Sequence, residues 1–218
     1  MIRVNVTIEK DTAGPALAAL KEAIRPENLA PLFGRSVTNA VRENFDILEG
    51  ARPNKLGGKR THYYSGARSS TSFVVEGDVA TVGVRQVGIR LRYFGGDVEA
   101  GKNTSIATGQ PTKYLTIPVT PESYGMRAAD FPDLILVWGP RGPYGLARVT
   151  KGTIAKGRNS STEQWEILFL LVPKVTIEGD DTILPTAEKM DESVRSDFGK
   201  YINLLWRRAG ANGGSLTA

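Results

Sequence analysis

The apolar residues between positions 29 and 48 repeat at intervals of three and four, and this pattern restricts the fold more than any other in the chain. Residues at that spacing share one face of an α-helix. Pro26 suits the first turn of such a helix, and Gly50 suits its end. The sequence therefore predicts a long amphipathic helix that lies across a sheet. Its apolar residues are Leu29, Leu32, Phe33, Val37, Ala40, Val41, Phe45 and Leu48.

A second periodic stretch near the C-terminus predicts another long helix, which begins around Leu184-Pro185-Thr186. Acidic residues come early in this stretch, and Arg207 and Arg208 come late, which is the order that the helix dipole favours. We expect its apolar stripe to face the core, and we expect residues 209–218 to be a disordered tail. The stripe consists of Met190, Val194, Phe198, Ile202 and Leu205.

The segments between these helices have the alternation or the short apolar runs of β-strands. Gly77-Asp78 joins two of them as a tight hairpin turn would. Residues 2–9 alternate strictly and predict a further strand, and residues 17–24 predict a short helix after it. The predicted fold is α+β, with a mixed, mainly antiparallel β-sheet packed against an N-terminal and a C-terminal helix. The internal strands are expected near 71–76, 79–85, 114–119, 133–139, 146–150 and 165–172.

Three stretches rich in glycine, proline or small polar residues separate these elements, namely residues 51–62, 96–113 and 151–163. Because this composition disfavours helices and strands, we expect long, mobile loops there. Linker signals are too few to divide the chain, so we expect a single domain over residues 1–208. Residues 87–94 fit either a strand or a short helix.

Few catalytic or metal-binding schemes are open to this chain, because it contains no cysteine and a single histidine, His62. His62 lies in a polar, basic stretch and is interpreted as a surface residue. Glu178, Asp180 and Asp181 lack the spacing of a calcium loop and suit a turn ahead of the last helix. We therefore expect no catalytic residue, no metal and no cofactor, and we predict that the protein is not an enzyme.

The sequence shows no signal for a membrane. No apolar run approaches the length needed to cross a bilayer, and the N-terminus alternates instead of forming a signal-peptide core. We therefore expect a protein that is made in a cytosol and has no membrane partner.

Positive charge is concentrated in the middle of the chain. Residues 51–160 contain 16 Lys or Arg and 7 Asp or Glu, a net charge of +9, whereas the remainder contains 12 and 16, a net charge of −4. Such a field favours nucleic acid or an acidic protein surface as partner, although solvated basic side chains are also common. One hypothesis is therefore a basic nucleic-acid-binding protein that uses residues 51–160. The candidate interface residues are Lys59, Arg60, Arg68, Arg90, Arg92 and Lys102.

Residues 96–102 reproduce the glycine and lysine spacing of a P-loop, but their surroundings argue against a nucleotide. Asn103 stands where a hydroxyl should hold magnesium, and Asp97 and Glu99 would bring negative charge close to the phosphates. We interpret Tyr93-Phe94-Gly95-Gly96 instead as an ordered turn, anchored by burial of Phe94, in which the glycines let the chain reverse. The residues behind it are expected to form a mobile arm.

The order of these segments resembles the phage virion morphogenesis family, the tail-completion or neck proteins of Mu-like and related tailed bacteriophages. That family runs from an N-terminal helix through a serine-glycine motif and a hairpin to a motif that ends in Phe-Gly-Gly. The counterparts here are Ser65–Ser70, the hairpin at 71–85 and GIRLRYFGG at 88–96. Tyr93 stands where the family often has glutamine, and residues 88–92 differ from the usual Tyr-Ala-x-Ile-His.

Further short matches extend the resemblance over roughly residues 28–206. They are Ile117 and Pro118 within LTIPV, Tyr124 and Gly125, and Leu184 and Pro185 ahead of the last helix. The family's C-terminal Arg-Pro-Phe-like signal is missing from this chain.

The resemblance implies a non-enzymatic structural protein of the virion head–tail junction, assembled in the bacterial host cytoplasm. It implies a homo-oligomeric ring, expected to contain six copies, that joins tail to head around the DNA channel as a tail-completion, tail-terminator or neck protein. Its expected partners are the adjacent neck and tail proteins, namely the tail tube and the stopper or connector. The basic middle of the chain could face phage DNA non-specifically or an acidic face of the next ring, and the residues leave both open.

Overall fold

The structure is a computed structural model, and it describes residues 13–52, 56–101, 113–140, 142–151 and 164–214. The predicted strand at residues 2–9 lies outside them. Helices and antiparallel sheets make up most of the described residues, so the predicted α+β class is confirmed. They group into two compact units, each assembled from separate stretches of chain. The expectation of a single domain over residues 1–208 stays a prediction.

The first unit contains Met1–Ile47, Tyr64–Val87 and Thr182–Ala218, and helices form most of its described part. Its elements confirm the predicted N-terminal and C-terminal helices and the predicted hairpin. They are α1 (Ala13–Ala23), α2 (Pro26–Ala51, whose last turn belongs to the second unit), α3 (Tyr63–Ser69, whose first residue does too), β1 (Thr71–Glu76), β2 (Val79–Val84) and α5 (Ala187–Gly214).

The core of the first unit forms around the apolar face of α2. Phe45 is fully buried and stacks on Tyr64 of α3, with ring centroids 6.2 Å apart. Phe33 meets Phe198 of α5 edge to face at 6.1 Å, as the stripes predicted for both helices require. The hairpin also packs tightly on α2, because a Cβ at Gly34 would lie 2.6 Å from the Phe73 ring.

Two stretches of the first unit differ from expectation. Residues 63–69, which lie between the predicted loop at 51–62 and the predicted strand at 71–76, form helix α3, and Tyr64 and Ala67 are buried on one face of this helix. Helix α5 continues to Gly214, so the tail predicted for 209–218 is helical over its first part. Residues 215–218 lie outside the described residues.

The second unit contains Leu48–Tyr63 and Gly88–Asp181, and its described strands form two antiparallel sheets. The larger sheet has four strands in the order β4-β7-β6-β5, and the smaller one pairs β3 with β8. Leu168 and Phe169 of β7 and Ala147 of β6 are almost fully buried and form the centre of this unit. The elements are α4 (Ile89–Phe94), β3 (Gly96–Glu99), β4 (Leu115–Pro118), β5 (Ile135–Gly139), β6 (Gly142–Lys151), β7 (Gln164–Val172) and β8 (Lys174–Ile177).

The structure settles the ambiguous segment and corrects one predicted loop. Residues 89–94 are helical, so the helical alternative for residues 87–94 applies. Residues 96–99, placed in a mobile loop by the sequence, form β3 and pair with β8, where Lys174 bridges Asp97 and Glu99. Of the predicted loops, residues 56–62 have no regular structure, whereas 102–112 and 152–163 lie outside the described residues.

Candidate functional site

The Phe-Gly-Gly motif lies where two segments of the second unit cross. Helix α4 ends at Phe94, and Gly95 follows with φ 72° and ψ −177°. A Cβ at Gly95 would lie 2.6 Å from the backbone nitrogen of Gly179 and 2.8 Å from the carbonyl oxygen of Ile177. A Cβ at Gly179 would in turn lie 2.9 Å from the carbonyl carbon of Phe94. Both positions therefore require glycine, and we call this crossing the glycine junction.

Hydrogen bonds from Asp180 hold the glycine junction together. Its backbone N–H donates to the carbonyls of Arg92 and Tyr93, at 3.0 and 3.1 Å. Its carboxylate accepts from the Arg52 guanidinium at 2.6 Å. Because Arg52 directly follows helix α2, one residue links the ends of α2, α4 and β8. The acidic stretch before the last helix therefore serves as a turn, as the sequence suggested, and Asp180 is its structural residue.

The expectation that burial of Phe94 anchors this turn is wrong. The Phe94 side chain is 72% exposed and touches the ring of Tyr93 edge to face, at 4.8 Å between centroids. Backbone contact at Gly95 fixes the turn instead. On the same helix, the Arg92 guanidinium lies 3.9 Å from the centroid of the Tyr63 ring, a cation–π arrangement.

The Ile117-Pro118 and Tyr124-Gly125 motifs lie on β4 and on the turn that follows it. Ile117 pairs with Leu170, and Pro118 pairs with Phe169. The turn is fixed by buried Ser123, whose hydroxyl donates to the carbonyl of Leu168 at 2.8 Å.

The basic loop at residues 56–62 rests on this turn. Gly125 has φ 78°, and a Cβ there would lie 2.8 Å from Thr61. A Cβ at Gly58 would lie 2.3 Å from the carbonyl oxygen of Pro121. The loop that carries Lys59 and Arg60 is therefore held in place by backbone packing, although both basic side chains are exposed.

The Leu184-Pro185 motif belongs to the first unit. Asn44 of α2 donates to the carbonyls of Thr182 and Ile183, at 3.2 and 3.0 Å, and Pro185 is buried ahead of α5. Hydrogen bonds from the backbone amide of Glu188 itself and from the Thr186 hydroxyl lower the pKa of the Glu188 carboxyl. A lowered pKa is expected for an acid in the first turn of a helix. This motif thus fixes the start of α5.

The six predicted basic interface residues do not form one described cluster. Lys59 and Arg60 lie on the 56–62 loop, and Arg90 and Arg92 lie on α4; all four are exposed and belong to the second unit. Arg68 belongs to the first unit, where it pairs with Asp46 at 2.9 Å. Lys102 lies outside the described residues.

Sequence reasoning missed an arginine surrounded by three carboxylates on the four-stranded sheet. Arg148 of β6 bonds both oxygens of Glu122, and its nitrogens lie 3.7 Å from Glu166 and 3.9 Å from Asp133. Hydrogen bonding to Glu122 raises the pKa of Arg148 and lowers that of Glu122. Arg148 and Glu166 are neighbours because β6 pairs with β7 in this register. The sequence alone does not show the register, so it could not reveal the cluster.

His62 is exposed, as expected, and its Nδ1 lies 3.1 Å from a carboxylate oxygen of Glu49. In the part of the chain that the structure describes, no three His, Asp or Glu side chains lie together as a metal site would require. Nor does any described helix combine the length and apolar character needed to cross a membrane.

Comparison of the chain with protein-family models, with curated proteins and with solved structures finds no match.

Proposed function

We propose that this chain is a structural virion protein of the bacteriophage head–tail junction, a tail-completion, tail-terminator or neck subunit that forms a ring around the DNA channel. The sequence resemblance carries the proposal, and its strongest motif is Phe94-Gly95-Gly96. The position of Gly95 in the structure supports the use of this motif as evidence. A glycine is required there by a backbone contact of 2.6 Å, so the match falls on a fold-determining residue.

The other motifs of the resemblance also occupy constrained positions. Gly125 meets the 56–62 loop at a positive φ, Pro118 lies in β4, and Pro185 is buried at the start of α5. Short motifs at surface positions would arise easily by chance. Motifs at positions that fix turns and helix starts are better evidence of a shared fold.

Exposed apolar side chains supply surfaces for assembly. Val74 and Val79 of the hairpin are 53% and 58% exposed in the first unit. Met126 and Trp165 are 46% and 49% exposed in the second. A closed ring is built from two different surfaces that meet head to tail, and large exposed apolar groups suit such contacts.

Mass measurement and imaging test the ring directly. Size-exclusion chromatography with light scattering should give an oligomer, expected to contain six copies, and negative-stain images should show rings with a central channel. If the ring forms only on docking, antibody labelling of purified phage particles should place the chain at the head–tail junction. A strict monomer that is absent from purified particles would contradict the proposal.

A second candidate function is nucleic-acid binding, favoured by the exposure of Lys59, Arg60, Arg90 and Arg92 in the second unit. Contacts of Lys and Arg with phosphates release counterions, so affinity for duplex DNA should fall steeply with salt. Replacing all four with glutamine should flatten that slope, whereas Arg68→Gln, which removes an arginine already paired with Asp46, should change it little. Absence of binding at low salt would exclude this function.

A further inference from the structure

Strand β5 is an edge of the four-stranded sheet among the described strands, and it lacks the charged residues and proline that often protect such an edge. It pairs with β6 on one side, and no described strand pairs with its other side. Its sequence, ILVWG, contains no charge and no proline. Sheet edges normally carry such residues to prevent pairing with other chains. The opposite edge of the same sheet has Pro118, and the small sheet has Asp97, Glu99 and Lys174.

The side chains of β5 also favour a partner. Exposure alternates along the strand, so Leu136 and Trp138 share one face, and they are 44% and 68% exposed. Tyr144, at the irregularity in the neighbouring β6, is 51% exposed. Large apolar groups beside an open strand edge mark a surface for strand addition.

At Leu136 and Trp138 the backbone N–H and C=O groups of β5 point to the open side of the strand. Gly139 pairs with Gly142 of β6, and the next pair is Trp138 with Pro143. Proline has no N–H, so this pair is not the doubly hydrogen-bonded kind, and the Trp138 amide and carbonyl face outward. Alternation gives Leu136 the same orientation.

We propose that β5 pairs with β5 of a second copy of this chain, antiparallel and centred on Val137. In this register the outward N–H and C=O of Leu136 form hydrogen bonds with the C=O and N–H of Trp138 in the second copy. By symmetry, Trp138 of the first copy bonds Leu136 of the second. Because paired residues share a face, two leucines and two tryptophans then form one apolar cluster. The strand is thus complementary to itself, and this selects a second copy as the occupant.

Charge agrees with the same register. The absence of charge in β5 means that no like charges meet across the contact. The contact is two-fold symmetric, so it is distinct from the head-to-tail contacts of the proposed ring and does not depend on them.

Charge replacement tests the register on the full-length chain. Sedimentation over a range of concentrations should show self-association through β5. Leu136→Lys with Trp138→Lys places lysine opposite lysine and should weaken it about tenfold or more. Leu136→Lys with Trp138→Glu removes the same apolar groups but places lysine opposite glutamate, and it should associate more tightly than the first variant. Trp206→Lys, at an exposed tryptophan of α5, is the matched control and should leave the contact unchanged.

A cysteine crosslink gives an independent readout, because the chain contains no native cysteine. Val137→Cys places two thiols opposite each other on the two-fold axis, at a non-hydrogen-bonded pair, where the separation suits a disulfide. Mild oxidation should give a covalent dimer, whereas Thr116→Cys, on the opposite sheet edge, should give far less.

Three results would overturn the proposal. A dimer that survives in the Lys/Lys variant would place the contact elsewhere. A monomer that fails to crosslink in the Val137→Cys variant would show that the strands do not meet. Slow hydrogen exchange at the Leu136 and Trp138 amides in a monomer would show that another part of the same chain covers the edge.

Discussion

The carboxylate of Asp180 lies 2.6 Å from the guanidinium of Arg52, while the amide of the same residue bonds the carbonyls at the end of helix α4. One residue therefore connects the end of α2 to the glycine junction. Both side chains are about one-third exposed, 36% for Arg52 and 33% for Asp180, so solvent weakens the pair without removing it.

A double-mutant cycle on this pair should show a measurable coupling. Arg52→Ala, Asp180→Ala and the double variant should give a coupling free energy of about 0.5–1 kcal/mol in chemical unfolding. The matched control is Arg25 with Glu22, at 2.9 Å but 61% and 58% exposed, where coupling should be smaller. Equal coupling in the two pairs would contradict a special role for Asp180.

Replacement of Gly95 should be among the most damaging changes in the second unit. Gly95→Ala combines a backbone conformation that favours glycine with a Cβ 2.6 Å from Gly179, so we expect a loss of about 3 kcal/mol or more in the free energy of unfolding. Gly77→Ala is the control, because Gly77 has φ 63° and open space around it. It should cost about 1 kcal/mol. Similar losses for both would show that the close contact at Gly95 is relaxed at little cost.

The elements that the sequence predicted correctly are those with a local signal. The apolar period of α2 and α5, the turn at Gly77-Asp78 and the apolar run of β7 each lie within one stretch of chain. These elements can be recognised without knowing which distant residues they contact, so local sequence patterns were sufficient to predict them.

The missed elements depend on residues far apart in sequence. β3 has a single large apolar residue, Val98, and becomes a strand by pairing with β8, which lies much further along the chain. Phe94 looked like an anchor because it is aromatic, but the turn is fixed by Gly95 against Gly179. The Arg148 cluster likewise needs the register of β6 and β7. Pairing between residues far apart in the chain produces no hydrophobic periodicity that the sequence could show.

Acid should destabilise the chain partly through Glu122. Its pKa is lowered in the folded protein by the hydrogen bond from Arg148, so it contributes stability above the unfolded value, about 4.3. That contribution is lost as the pH falls through the lower folded value. Glu122→Gln and Arg148→Gln should each flatten the acid side of the curve of thermal midpoint against pH.

The double variant gives the control for this acid dependence. If Arg148 acts on acid stability mainly through Glu122, combining the two substitutions should flatten the curve little more than either alone. Additive effects would instead assign a large share to Glu166 and Asp133, which lie 3.7 and 3.9 Å from Arg148.

Two phenylalanines should respond in opposite ways to truncation. Phe45→Ala removes a fully buried ring that stacks on Tyr64, and we expect a loss of about 3–5 kcal/mol in unfolding free energy. Phe94→Ala removes a ring that is 72% exposed, so the change should stay within about 0.5 kcal/mol. Chemical unfolding of both variants beside the parent chain measures this contrast. A large loss at Phe94 would show that its ring is buried in solution, by this chain or by a second copy, and light scattering on the same samples separates these cases.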